Sequence, residues 1–180
     1  MIASWGALVL LTHSGEVYVS GRNDAIHGNG GVLPGASENY WARVTRDITG
    51  NPALTGVVDI RVTPVGAFAI TSTGQWYTWG VRCYRGDGSA VATYNRAVTM
   101  TTPFPGLPVM IAMTADFGNN TWTDASNRAS YFAFNPADNN LYAMGSNGNG
   151  QLGQGNTTNS TGWVPVRNST NTADLTDVIF

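Results

Sequence analysis

The chain contains no lysine: all nine of its cationic side chains are arginine, set against eleven carboxylates for a net charge of −2. Charged residues make up 11% of the sequence, where an ordinary soluble domain carries roughly 25%. A nucleic-acid-binding face needs clustered cations to neutralise phosphates, and nine scattered arginines supply none, so no nucleic-acid partner is expected. The single cysteine, Cys83, excludes an intrachain disulfide and reads as a small buried hydrophobe. His13 and His27 are the only histidines, and neither stands in a set of Cys, Asp or Glu at metal-ligand spacing. No metal is expected, and His13 reads as a turn residue. There is no nucleophile elbow, no phosphate-binding loop and no separated carboxylate pair, so neither enzymatic activity nor a cofactor is expected. The apolar run Ala7 to Leu11 is far too short to cross a bilayer, and no basic segment precedes it as in a signal peptide. Membrane insertion is not expected.

In place of charge, the sequence offers Asn, Thr, Ser and Gly, so the surface is wetted by neutral hydrogen-bonding groups. That composition is common in extracellular and virion proteins. At 180 residues, of which 42% are hydrophobic, the chain has the length of one domain with a sizeable core.

Self-similarity organises that core. "GALVLLTHSGEVYVSGRND" from Gly6 and "GAFAITSTGQWYTWGVRCY" from Gly66 both run through apolar residues to a Thr (Thr12, Thr71), turn at a Gly (Gly15, Gly74) and end in an aromatic strand closed by Gly21 or Gly80. A third copy, "SYFAFNPADNNLYAMGSNGNGQLGQG", closes at Gly145 and places Asn139 at the turn. Asn is the residue that best tolerates a left-handed turn position after glycine. Each copy continues into an extended piece, Trp41 to Val44, Asn95 to Val98 and Trp163 to Val166. A further strand opens each next unit: Val57 to Val62, Val109 to Met113 and Leu175 to Phe180, where "LTDV" repeats the "LTGV" at Leu54 to Val57.

The unit is therefore about four short strands, with no helical periodicity of useful length. Four-stranded units at this period suggest all-β propeller blades, since one small sheet cannot bury both of its faces alone. Stacking explains why Ala7 to Leu11 and Ala67 to Ile70 are apolar on both sides. Small residues at the strand starts (Gly6, Ala7, Gly66, Ala67, Ala129, Ser130) suit a crowded axis, and Trp79 suits the widening space between blades.

At Gly145 to Gly155, "GSNGNGQLGQG" resembles the signature of the regulator of chromosome condensation repeat family, with Gly145, Asn147, Gly150, Gln151, Leu152, Gly153 and Gly155 in register. The glycines would take turn dihedrals, Asn147 would hydrogen-bond backbone, and Leu152 would enter the sheet interface. The other copies are degenerate: "GRNDAIHGNG" keeps Gly21 and Asn23, and "GVRCYRGDG" keeps Gly80. The resemblance implies a β-propeller in one partial domain over 1–180, with blades at about 1–53, 54–107 and 108–173 and an opening strand at 174–180. Family propellers generally close with about seven blades, and three cannot make a ring. The first strand of the first blade is missing and is what Leu175 to Phe180 would provide. Two explanations stand open: a stretch of a longer array, or identical protomers joined head to tail.

Recognition on a propeller falls in its loops. The long polar loop Asn23 to Asn51 carries Tyr40 and Trp41, and the insertion Asp116 to Asn127 carries Asn119, Asn120 and Trp122. These are candidate partner-binding residues, with capping of the apolar interior as the competing role for Tyr40, Trp41 and Trp122. Arg85-Gly86-Asp87 reads as a turn, and the sequons at Asn119, Asn156, Asn159 and Asn168 follow from a chain rich in Asn and Thr. Composition favours an attachment module of a virion or an extracellular protein, such as a phage tail fibre touching a protein or cell-surface glycan receptor. The alternative is a scaffold propeller in a larger cellular protein, cytoplasmic in location. The family's role in nucleotide exchange on a small nuclear GTPase is disfavoured by the absence of basic chromatin-facing features.

Overall fold

The computed structural model describes residues 2–4, 7–21, 27–30, 38–63, 66–86, 92–100, 104, 110–116, 128–176 and 178. Among them there is no helix; all regular structure is β. The strands are β1 (Ile2–Ser4), β2 (Ala7–Leu11), β3 (Val17–Gly21), β4 (Glu38–Arg43), β5 (Val57–Thr63), β6 (Gly66–Thr71), β7 (Trp76–Cys83), β8 (Ala92–Thr99), β9 (Met110–Asp116), β10 (Arg128–Asn135), β11 (Asn140–Gly145) and β12 (Ser160–Pro165). They form three four-stranded antiparallel sheets, β1 to β4, β5 to β8 and β9 to β12, each ordered as the chain runs. These are blades 1, 2 and 3.

The central hairpin of each blade is set by local chemistry. In blade 1 the Gly15 amide donates to Thr12 O at 3.0 Å, and the Thr12 hydroxyl accepts the Glu16 amide at 2.9 Å. Blade 2 repeats this with Gly74 to Thr71 O at 2.9 Å and Gln75 N to Thr71 Oγ1 at 3.1 Å. Gly15 and Gly74 both have φ of +79°, and Asn139 takes φ of +57° in the third hairpin. A Thr that caps the turn and a residue tolerant of positive φ are what this connection needs.

Strand alternation sends two apolar sets to opposite faces of each sheet. Ala7, Val9, Val17 and Val19 of blade 1 meet Ala67, Ala69, Tyr77 and Trp79 of blade 2 in one core. Phe68, Ile70 and Trp76, on the other face of blade 2, meet Ala129, Tyr131, Ala133 and Met144 of blade 3 in a second. Blade 2 is thus covered on both sides, and all six residues of β6 are buried. Trp79 is completely buried against blade 1. Ala7, Gly66 and Ser130 pair across with the closing glycines Gly21, Gly80 and Gly145. At Gly145 φ is +114°, and a Cβ there would collide with the Ala129 carbonyl oxygen. Gly145→Ala is therefore expected to cost more than about 2 kcal/mol through strain and displacement of β10, measured as a drop in the urea midpoint.

The blades are also laced together through backbone. Val57 N donates to Gly15 O at 3.0 Å, joining the first strand of blade 2 to the hairpin turn of blade 1. The segment after β4 lies along β8 in parallel, through Ala97 N to Thr45 O and Asp47 N to Ala97 O, both 2.9 Å, with Arg46 bridged to Ala97. Gly30 N donates to Asn95 O at 2.7 Å on the same strand.

Two sequence expectations are corrected here. The first strand of blade 1 is present: Ile2–Ser4 pairs with Ala7–Val9. Three residues with a single Ile among them carry too little pattern to be read as a strand. The stretch carrying Tyr40 and Trp41 is not all loop: both lie on β4, which includes the start of the extended piece expected from Trp41 to Val44 and reaches back to Glu38, with backbone pairing of Ala42 and Arg43 to β3.

Candidate functional site

The loop from Gly145 to Gly155 is held by one side chain. Asn147 is fully buried. Its amide nitrogen donates to the Asn156 carbonyl at 2.9 Å and the Thr158 carbonyl at 3.0 Å, and its Oδ1 accepts the Leu152 amide at 2.8 Å. Its own backbone amide donates to Asn159 Oδ1 at 2.8 Å. One carboxamide with two donors and an acceptor therefore satisfies three backbone groups across twelve residues. Leu152 is drawn inward and packs with Ala143 and Val166. Gly150, Gly153 and Gly155 have φ of +75°, +62° and +70°, and Gly80 has +119°. Gln151 Oε1 accepts the Asn149 amide at 2.9 Å.

Gly21 has φ of +97° and ends β3, and Asn23 lies outside the described residues. The corresponding loop of blade 1 is visible at Gly28, with φ of +60° and the Val44 side chain over it, as Gly153 lies under Val166. Thr45 N donates to Gly28 O and Arg167 N to Gly153 O, each at 2.9 Å. His27, fully buried, therefore holds the place of Leu152. Nothing in the residue pattern announces this, because only the glycine of the signature's Leu-Gly pair survives there.

Blades 2 and 3 share a buried polar cluster. Tyr131 Oη and Thr78 Oγ1 are 2.9 Å apart, and Tyr131 Oη accepts the Tyr84 amide at 3.3 Å. Burial pushes the Tyr131 phenol well above its ordinary range. The Cys83 Sγ, also buried, donates to Trp79 O at 3.3 Å. Removal from water pushes the Cys83 thiol up to about 11, only partly offset by its neighbours Thr78 and Tyr131. The thiol is neutral and shielded, so a disulfide reagent at pH 8 is expected to leave folded protein unlabelled and to label one thiol after denaturation.

Of the candidate binding residues, Tyr40 is 65% and Trp41 44% exposed; Asn119, Asn120 and Trp122 lie outside the described residues. Arg85 Nε donates to Thr99 O at 3.4 Å and Gly86 has φ of +81°, while Asp87 is outside the described set. The sequon residues Asn156, Asn159 and Asn168 accept backbone amides of Thr158, Asn147 and Thr172. Asn119 lies outside. His13 is exposed in the β2–β3 turn and borders a groove of about 460 Å³ lined by Val9, Leu11, Thr12, Asp59, Ile60 and Arg61. Among the described residues no three His, Cys, Asp or Glu side chains are grouped to hold a metal ion.

Three antiparallel meanders stacked face to face, with faces buried only by each other, define a set of β-propeller blades that does not close within this chain. Residues 138–178, which include β11, the loop from Gly145 to Gly155 and β12, match the family model of the Regulator of chromosome condensation (RCC1) repeat. The chain is similar in structure to Prp20p from Saccharomyces cerevisiae, studied with its binding to Gsp1p and histones, at TM-score 0.60 and 14% identity over 93% of this chain and 38% of that one. Human WBSCR16 (TM-score 0.47, 16% identity, 93% and 52% coverage) and a chain of Kap60 bound to yeast RCC1 (Prp20) (0.42, 12%, 92% and 47%) overlay less well. The chain thus spans about half or less of the length of these solved chains. Among curated proteins no sequence match was found.

Proposed function

We propose that this chain is a protein-interaction scaffold, a non-enzymatic set of propeller blades working inside a cellular protein. The carrying observation is the commitment of the strand faces to each other, which leaves loops and outer strands for recognition, together with an RCC1 repeat in blade 3. Prp20p, which shares the fold, binds proteins. Tyr40, on the outer strand of blade 1 and the most exposed aromatic among the described residues, is the contact assigned to the partner, because a rigid aromatic gives area at low entropic cost. The loop at 116–127, with Asn119, Asn120 and Trp122, is assigned to the same partner.

The attachment reading rests on composition alone, on the missing lysine and the abundance of Asn and Thr, and the repeat and fold favour the scaffold. A photo-crosslinking residue at position 40, in protein expressed in its own host cell, tests this. A discrete protein adduct absent from a control placed at buried Val19 is the expected result. Adducts confined to cell-surface glycan or virion components, or none, would overturn it.

A further inference from the structure

The loop that Asn147 holds together contains a glycine that its geometry does not call for. Gly145, Gly150, Gly153 and Gly155 all sit at positive φ, where a side chain is strained. Gly148 does not, it is exposed, and a Cβ built on it would meet nothing within 4 Å. Neither backbone conformation nor close packing therefore requires glycine at this position. Its effect there is chemical, because it directly follows the buried Asn147. With no side chain on the second residue of an Asn-Gly pair, nothing hinders that residue's amide nitrogen from reaching the asparagine carboxamide.

The reaction open to such a pair needs only water as co-reactant. The Gly148 amide nitrogen gives up its proton to solvent base and attacks Asn147 Cγ. The new N–Cγ bond forms as the Cγ–Nδ2 bond breaks, and Nδ2 takes up a proton and leaves as ammonia. Water then opens the resulting succinimide at either ring carbonyl. The product is aspartate on the ordinary backbone, or isoaspartate, in which the main chain runs through Cγ. One water is consumed, one ammonia is released, and nothing is oxidised or reduced.

In the folded loop the carboxamide is fully engaged. The leaving nitrogen, Nδ2, donates to the Asn156 and Thr158 carbonyls at 2.9 and 3.0 Å, and Oδ1 accepts the Leu152 amide at 2.8 Å. Expelling Nδ2 gives up both of its bonds in a site closed to water. The products do not fit the same place. Aspartate sets a carboxylate against two carbonyl oxygens, and isoaspartate lengthens the main chain within the turn that Gly150 N closes on Asn147 O at 2.9 Å.

We propose that Asn147-Gly148 is a covalent self-modification site under the control of this loop. Folding holds it shut. Opening of the loop releases the carboxamide, converts Asn147 irreversibly and leaves a chain that does not rebuild the Gly145 to Gly155 loop.

The test holds the full 180-residue chain at mildly alkaline pH, native or in urea. The peptide spanning 145–155 is followed by fragment-resolved mass spectrometry for aspartate and isoaspartate. Conversion at position 147 is expected to be at least about thirtyfold faster in urea, a factor set by how rarely the native loop opens. Asn149, also followed by glycine, reports unfolded-state chemistry in the same peptide. Gly148→Ala should slow conversion at 147 in urea severalfold, with Asn149 conversion unchanged and no loss of urea midpoint. On dilution from urea, chains converted at 147 should fail to regain exchange protection of the 147–160 amides, while unconverted chains regain it. Native conversion at the unfolded rate would sink the proposal. So would an unfolded rate indifferent to Gly148→Ala, a lowered midpoint in that variant, or converted chains that recover full protection.

Discussion

Trp79→Ala is expected to lower the unfolding free energy by about 3–5 kcal/mol, the range for removing a large aromatic from a packed core. Trp79 is completely buried in the core between blades 1 and 2, paired across to Ala67. Its ring also lies against Gly28, where even a Cβ would come within 2.8 Å of the indole. The space left by the indole adjoins the Gly28 backbone and lies in the core shared by blades 1 and 2, so collapse into it is restricted. Urea unfolding followed by tryptophan fluorescence and by circular dichroism should give one shifted midpoint, because both cores share blade 2. A loss below about 1.5 kcal/mol would mean that the interblade core does not close around this ring.

Asn147→Ala should be nearly as severe, at about 3 kcal/mol or more. The substitution strands the Leu152 amide and removes the donors that the Asn156 and Thr158 carbonyls receive. Leaving a buried polar group unsatisfied costs about 1–3 kcal/mol each, and water entering the loop recovers part of it. Asn147→Asp is the informative companion. It keeps the acceptor for Leu152 but replaces a double donor with a charge facing two carbonyls, so it should be no better than alanine near neutral pH. Hydrogen exchange of the 147–160 amides would then rise while β10 stays protected, because the loop is anchored by Asn147 and the strand by its ladder.

The parts of this fold that could be read from the sequence are those fixed by neighbouring residues. Thr12 with Gly15, and Thr71 with Gly74, announce their hairpins because the capping hydroxyl and the positive-φ residue lie three positions apart. Two-sided apolar strands announce stacking, since β6 has no polar face to give to water. What was not legible depends on other blades. Tyr131 gives no hint in sequence that its hydroxyl will meet Thr78, 53 positions away. Tyr40 looks like a loop residue beside Glu38 and Asn39, and only the pairing of β4 with β3 carries the strand back past Trp41 to include it. His27 is the sharpest case: a polar residue in a degenerate loop, carried into a leucine's place because Gly28 keeps the backbone path.

The segment 45–47 belongs by sequence to the end of blade 1, yet it supplies the outer neighbour of β8 in blade 2. A piece of the protein starting at Leu54 would therefore strip that strand of its cover and bare a row of amides and carbonyls ready to recruit another chain. Dissection of the array for crystallography or for fusion to other domains should cut upstream of Gly28, or accept sticky sheets in place of well-behaved ones.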